Sequence, residues 1–504
     1  MPPYDVGRRH PIPLAGRNTC TMRQTVFPMH DPDAPVVLWL RRELRLADNP
    51  ALAAAIATGR PLLPVFVLDD VSAGQWALGG ASRWWLYHTL ASLASDLAAR
   101  GVKLVLRRGR AAAEIARLVE QSGAAEVHAG LAVEPWARRL LRDVARGLAV
   151  KLHLHNTTLL FDPGAIRTGA GGPYGVFTPF SRACLSRGDP PAPLPTPVKI
   201  RSVDSVLSDS LADWHLLPTR PDWAAGLRAT WIPGEAGAHR RLADFIATGL
   251  EGYDETRNLP GIDGSSRLSP CLHWGELSPG QVWHASAAAA DTQGRFIYRN
   301  ELLWREFSAN LLWHHPTLPE QPLRTEFAAM PWQVDPVGLA AWQRGATGIP
   351  IVDAGMRQLW RTGWMHNRVR MVVASFLIKH LLVPWQEGEA WFWDTLVDAD
   401  LASNSAQWQW VAGCGADAAP FFRVFNPVLQ GRKFDADGAY VRAWVPELAR
   451  LPDRFLHAPW EAPDNVLEYA RVQLGRNYPR PIVDLATGRA RALAAFQRIT
   501  RPAA

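Results

Sequence analysis

Between residues 36 and 155, short apolar runs alternate with Ala- and Leu-rich segments. VVLWL (36–40), LLPVFVL (62–68), KLVL (103–106), EVHAG (126–130) and VKLHLH (150–155) are β-rich and too short for helices. The stretches at 49–58, 81–100, 111–121 and 134–147 have helical composition instead. This alternation predicts a five-stranded, Rossmann-like doubly wound parallel sheet with crossover helices. Residues 156–235 are rich in Pro, Gly, Ser and Asp and lack periodicity, so they read as a connector carrying one short docking helix at 177–185. From 237 onward the pattern is helical, at 237–250, 278–290, 296–314, 338–344, 352–362, 364–382, 388–402 and 404–412. The expected organisation is an N-terminal extension (1–33), an α/β domain (34–160), a connector (161–235) and a large all-α domain (236–504).

Three stretches place chemistry on these elements. After the first strand, Arg41, Arg42, Glu43, Arg45 and Asp48 could line a crevice at the strand ends, although a solvated, mutually paired loop explains most of them. GSSRLSP (264–270) offers small hydroxyl residues whose backbone could approach an anion, with Arg267 adding charge. In NELLWREFS (300–308), Glu301, Trp304, Arg305 and Ser308 share one helical face, where a mid-face indole suggests a stacking platform. The richest stretch runs from 351 to 425. There Asn367, Arg370, Met371 and Ala374 share one face, and Asp400, Asn404 and Trp408 form a stripe at intervals of four. Two such helices could converge on one flat, polar-edged ligand. Arg370 is a counter-ion candidate for Asp398 or Asp400.

Composition narrows the classes. At 504 residues several domains are expected, and 48% hydrophobic with 20% charged residues is an ordinary globular balance. A net charge of +7 permits a polyanionic partner. The four cysteines, Cys20, Cys184, Cys271 and Cys414, stand far apart, which argues against a zinc or iron–sulfur site and suits a reducing cytoplasm. No metal site is expected. No apolar run is long enough to span a membrane, and the first 33 residues lack the apolar core of a signal peptide, so Met22 or Met29 could be the true start. Most of the 23 tryptophans lie beyond residue 213, which points to aromatic surface in the helical half.

With RRELRLADNPAL, GSSRLSP, NELLWREF, GIPIVDAGMRQLWRTGWMHNRVRM, FWDTLVDADLASNSAQWQW, GADAAPFFRVFNPVLQGRKF and YPRPIVD in hand, the chain resembles the cryptochrome/photolyase family from about residue 36 to 497. The resemblance implies an antenna-binding α/β domain and a helical domain holding one non-covalent, U-shaped FAD, active as FADH⁻. It implies FAD phosphate and ribose contacts at Tyr253, Ser265, Ser266, Arg267, Leu268 and Ser269, and an isoalloxazine shell of Arg305, Asn367, Arg370, Asp398, Asp400 and Asn404. A lesion pocket follows at Glu301, Trp304, Asn367, Met371 and Trp410, with DNA phosphate contacts at Arg257, Arg368, Arg423 and Lys433. Trp408, Trp385 and Trp332 match an electron relay from flavin to surface. Glu134 stands where folate-binding relatives place a pterin contact, and a helix-start carboxylate explains it equally well. Methenyltetrahydrofolate and a deazaflavin are both candidate antennae, with another flavin or no antenna also open.

The implied activity is light-driven repair of cyclobutane pyrimidine dimers in UV-damaged DNA by a cytoplasmic, monomeric enzyme. Excited FADH⁻ would donate an electron to the flipped-out dimer, both linking bonds would break, and the electron would return. The rival is a cryptochrome-type photoreceptor without repair activity. Asn404 favours repair, since plant cryptochromes carry Asp there and animal ones Cys. The NELLW face and Asn367, where six-four photolyases carry His for proton transfer, favour it too. The iron–sulfur branch needs clustered cysteines, and photoreceptors usually carry a C-terminal extension beyond the YPRPIVD segment.

Overall fold

The computed structural model describes residues 31–500, apart from 205 and 419–421. Residues 1–30 of the expected extension, with both alternative starts, lie outside the described residues. From Ala34 onward the chain forms one compact unit.

Five strands, β1 (Val36–Leu40), β2 (Leu62–Leu68), β3 (Val105–Arg108), β4 (Glu126–Gly130) and β5 (Lys151–His155), pair in parallel in the order β3-β2-β1-β4-β5. β3 begins later than its apolar run because pairing with β2 starts only at Val65 opposite Val105. β1 and β2 are apolar at almost every position because both sheet faces are covered. Val37, Trp39, Val65 and Val127 pack against Ile115, Leu118, Leu140 and Leu141 of helices Ala111–Ser122 and Pro135–Gly147. The opposite face, with Val36, Leu38 and Leu40, runs without a break through Trp84 and Trp85 of helix Gly80–Ala98 into the helical core. The sheet and the helical half thus share one apolar interior.

The connector contains the short helix Phe177–Leu185 and also extends the sheet's contacts, since Leu62 N–H donates to Arg201 O at 2.7 Å and Asp209 N–H to Leu106 O at 2.8 Å. Beyond it lie helices Glu235–Thr248, Pro279–Ala287, Gln293–His314, Pro336–Gln343, Pro350–Thr362, Asn367–Ser375, Trp385–Thr395 and Leu401–Ala412. The predicted helix at 364–382 starts later and is not uniform. Gly363 closes its predecessor in the left-handed conformation, and His366 caps the new helix by accepting the Arg368 N–H at 3.2 Å. A wide π-type turn follows at Phe376–His380. The predicted 388–402 helix instead breaks after Thr395, and Asp400 caps the next helix by accepting Ser403 N–H at 2.8 Å.

The loop after β1 is not solvated. Arg45 is fully buried and donates to the carbonyls of Asp48, Thr157 and Gly275, while Leu44 N–H donates to Trp274 O. Gly275 has φ +65°, and a Cβ there would meet Arg42 O at 1.9 Å, so only glycine lets the two halves approach this closely. Beside it the buried Glu276 carboxyl accepts Trp85 Nε1–H at 2.8 Å and Gly234 N–H at 2.7 Å, joining helix, connector and loop. Burial raises the Glu276 pKa to about 7, against the lowering effect of those donors. A raised folded-state value means that this group's stabilisation is complete below its unfolded pKa of 4.5 and is lost as pH rises through about 7. In urea unfolding, wild type should therefore lose about 3 kcal/mol more than Glu276→Gln between about pH 5 and pH 8. Parallel stability curves would contradict this.

A candidate flavin and lesion cavity

Loop 264–268, helix Gln293–His314, helix Asn367–Ser375 and the start of helix Leu401–Ala412 enclose a cavity of about 490 Å³. Its deep wall is polar. Arg370 donates to Asp398 at 2.9 and 3.2 Å and to Met365 O at 2.8 Å, fixing a guanidinium–carboxylate plate with Asp398 almost wholly buried. Asn404 Nδ2 donates to Glu389 O at 3.0 Å, and Ser405 Oγ donates to the Glu389 carboxyl at 2.5 Å. Burial raises the Glu389 pKa well above its ordinary value, and its carboxyl braces the helix that presents Asn404.

Asp400 sits where this cavity meets a second one. Burial alone would raise its pKa, but His273, Arg305 and Arg42 together hold it well below the usual carboxylate range. The Arg42 guanidinium lies 3.6 Å from Asp400 and 2.5 Å from Glu134. Arg305 donates to Thr158 O at 2.5 Å. Asp400, His273 and Arg305 line both cavities.

The other expected cofactor contacts also line the first cavity: Tyr253, Ser265, Ser266, Arg267, Leu268 and Ser269. Arg267 has φ +49°, pairs with Asp263 at 3.0 Å and lies over Trp364. His366, which the sequence did not single out, also lines it. Burial first, then Arg267, Arg368, Arg370 and Arg257, lowers its pKa to about 4. A neutral imidazole ringed by four guanidiniums marks a strongly positive wall, suited to a phosphate-bearing ligand.

The mouth carries the expected lesion residues, with Glu301, Trp304, Asn367, Met371 and Trp410 all among the lining. Trp304 has Phe177 stacked on it, ring centroids 3.7 Å apart and planes 5° apart. Trp410 Nε1–H donates to Asp417 O, and Asp417 N–H donates to Gly175 O. The connector therefore backs both indoles. Glu301 is paired with Arg257 at 2.6 Å; burial raises its pKa while Arg257 opposes the rise.

The four expected phosphate contacts separate. Arg257 is engaged inside the cavity wall by Glu301. Arg368 bonds Asn258 Oδ1 at 2.6 Å and lies over Phe434, as does Lys433, so these two form a basic patch around one ring. Arg423 lines a separate small cavity with Trp410 and Lys379. Glu134 caps no helix N–H, since its carboxylate turns to Arg42.

Trp408 lines the cavity and is buried; Phe392 lies 5.0 Å and Trp342 6.3 Å from it. Its ring leaves no room for a Cβ on Gly388, in the helix that opens with buried Trp385. Half-buried Trp332 is tethered nearby, because Gln333 N–H donates to Leu382 O at 2.9 Å. Of the residues the sequence reading missed, His273 and Glu389 carry no local spacing signal, and only the fold brings them to the wall.

Residues 36–198 match the family model described as DNA photolyase, and 297–498 match the FAD binding domain of DNA photolyase. A deoxyribodipyrimidine photo-lyase of Agrobacterium fabrum is 49% identical, with 93% of this chain and 98% of that protein covered. The chain belongs to the photolyase/cryptochrome family. Cryptochrome-1 of Arabidopsis thaliana is 38% identical over 90% of this chain and 69% of its own length. Among solved structures, a bacterial class III photolyase from Agrobacterium tumefaciens superposes with TM-score 0.90 at 46% identity, covering 95% of this chain and all of that one. A Synechocystis cryptochrome gives 0.85 at 28% identity, covering 93% of this chain and all of its own.

The residues fit a flavin dinucleotide. The volume lies within the range of cofactor pockets. Hydroxyls and guanidiniums suit the pyrophosphate, and the Arg370–Asp398 plate suits a flat ring with polar edges. Arg370→Leu should strand the buried Asp398 carboxylate and lower stability by on the order of 3 kcal/mol in denaturant unfolding of the flavin-free protein. An unchanged midpoint would mean that the pair does not stabilise the fold.

Proposed function

We propose that this protein is a light-driven deoxyribodipyrimidine photo-lyase acting on cyclobutane pyrimidine dimers in UV-damaged DNA. The observation that carries the reading is that one cavity has two chemically distinct ends. A polar shell of Arg370, Asp398, Asp400 and Asn404 lines one end, and an acid, Glu301, shares the other with the indoles of Trp304 and Trp410. When bound, reduced FAD supplies a photo-excitable one-electron donor. The Ser265–Ser269 loop and Tyr253 would hold its phosphate and ribose part. The Arg370 guanidinium, fixed by Asp398, would favour negative charge on the reduced ring. Asn404 would present a neutral amide beside the ring, which supports repair over sensing.

At the mouth, Glu301 would hydrogen-bond the thymine edge. Trp304 and Trp410 would supply π surface for two joined bases, with Met371 and Asn367 beside them. Phe177 keeps the Trp304 plane from rotating. Arg368 and Lys433 over Phe434, together with Arg257 and Arg423, would meet the DNA backbone. Trp408, Trp385 and Trp332 would relay electrons outward, supported by a buried first indole and a half-buried last one. The aromatic lining of the second cavity, Trp39, Trp76, Trp136 and Trp274 with Glu134, suits a flat antenna such as methenyltetrahydrofolate or a deazaflavin. Cytoplasmic placement fits a DNA substrate and three buried free cysteines; no described helix is long and apolar enough to cross a membrane.

Purified, reduced protein should restore thymine-dimer DNA under blue or near-UV light and leave it unchanged in darkness. Flavin photoreduction without repair would favour the photoreceptor. Trp304→Ala should retain FAD yet bind dimer-containing oligonucleotide about 1–3 kcal/mol more weakly. Loss of flavin from that variant would make Trp304 structural instead.

A further inference from the structure

On β4, Glu126 and His128 alternate with the buried Val127 and Ala129, and on β5 His153 and His155 alternate with Leu152 and Leu154. Because side chains repeat every two residues and the register pairs His128 with His153 and Gly130 with His155, all four project from one sheet face. The rings of His128 and His153 are stacked 4.7 Å apart, and those of His128 and His155 5.1 Å apart. Glu126 reaches both of the first two, with Oε2 2.9 Å from His153 Nε2 and Oε1 3.6 Å from His128 Nε2.

His128 Nε2 is the unusual atom. Its side chain is only 5% exposed, and this nitrogen has no hydrogen-bond partner. The 3.6 Å gap to Glu126 is too long for a hydrogen bond. His128 Nδ1, by contrast, lies 3.0 Å from His155 Nε2. His155 thus holds the His128 ring from one side, and the buried Nε2 faces the Glu126 carboxylate without a hydrogen bond to it.

We propose that Glu126, His128 and His153 form a binding site for a divalent transition-metal ion such as zinc. The three donor atoms already lie within 4.8 Å of one another, and ligands of a tetrahedral zinc stand about 3.4 Å apart, so a small rotation of half-exposed His153 completes the geometry. His155 is a positioning residue, holding the His128 tautomer from behind, as carboxylates and carbonyls commonly do for metal-bound histidines. Solvent would supply the fourth ligand. The ion would staple edge strand β5 to β4, on the face against which helix Pro50–Ala57 packs. The expectation of no metal site rested on cysteine spacing. The Glu-x-His and His-x-His pairs escape it because they lie on two strands separated by a crossover helix.

The test is zinc binding by the full-length, untagged holoprotein, measured by competition with a chromophoric chelator. One equivalent should bind with micromolar or tighter affinity. His153→Ala and Glu126→Gln should each weaken binding by at least about tenfold, His155→Ala by about 10–100-fold, and His239→Ala, at an exposed histidine elsewhere, should leave it unchanged. Flavin absorbance checks that each variant is folded. No bound zinc, or zinc unaffected by both His153→Ala and Glu126→Gln, would overturn the proposal.

Discussion

One half-buried carboxylate joins the parts of this molecule. Asp400 caps the helix that carries Asn404 and Trp408, and it faces His273 and Arg305 from the helical half and Arg42 from the loop after β1. A charge in that position is tolerable only because three cationic or donor groups from separate segments surround it. The requirement fixes where the sheet docks. Arg42 can reach Asp400 only if loop 41–48 is drawn inward, and Gly275 and the Arg45 carbonyl contacts accomplish this. The same cluster forms the wall between the two cavities, so the geometry that secures the fold also sets the separation of a deep site from an outer one.

The larger cavity divides its labour by depth. Deep in it, charges are paired and side chains are held by second partners: Arg370 by Asp398, and Asn404 by Glu389. At the mouth, the indoles are positioned by the connector, through Phe177 behind Trp304 and Gly175 behind the loop that receives Trp410. The connector is more than a spacer. Its short helix completes the aromatic platform from the side opposite the cavity.

Much of this was legible in the sequence. Strands with unbroken apolar runs and helices with regular spacing were visible because both patterns are local. The face of Glu301, Trp304 and Arg305 followed from helical geometry and appears in the cavity as expected. What was not legible depended on long-range contact. Arg42 and Arg45 read as a solvated loop because their partners, Asp400, Glu134 and the Thr157 and Gly275 carbonyls, lie far along the chain. Asp400 read as mid-helical because its capping of Ser403 is a single side-chain choice that periodicity does not register. The Arg257–Glu301 ion pair joins residues far apart in the chain, which no local spacing registers. His366, His273 and Glu389 gave no signal at all. A convergent flat-ligand site could be inferred from spacing; its identification with FAD came from family resemblance.

The central claim is that flavin and dimer occupy one cavity, close enough for direct electron transfer. The most direct measurement is the fluorescence lifetime of the bound reduced flavin as dimer-containing or undamaged DNA is added. Dimer DNA should shorten the lifetime, and undamaged DNA of the same sequence should leave it unchanged. An unchanged lifetime at saturating dimer DNA would contradict it.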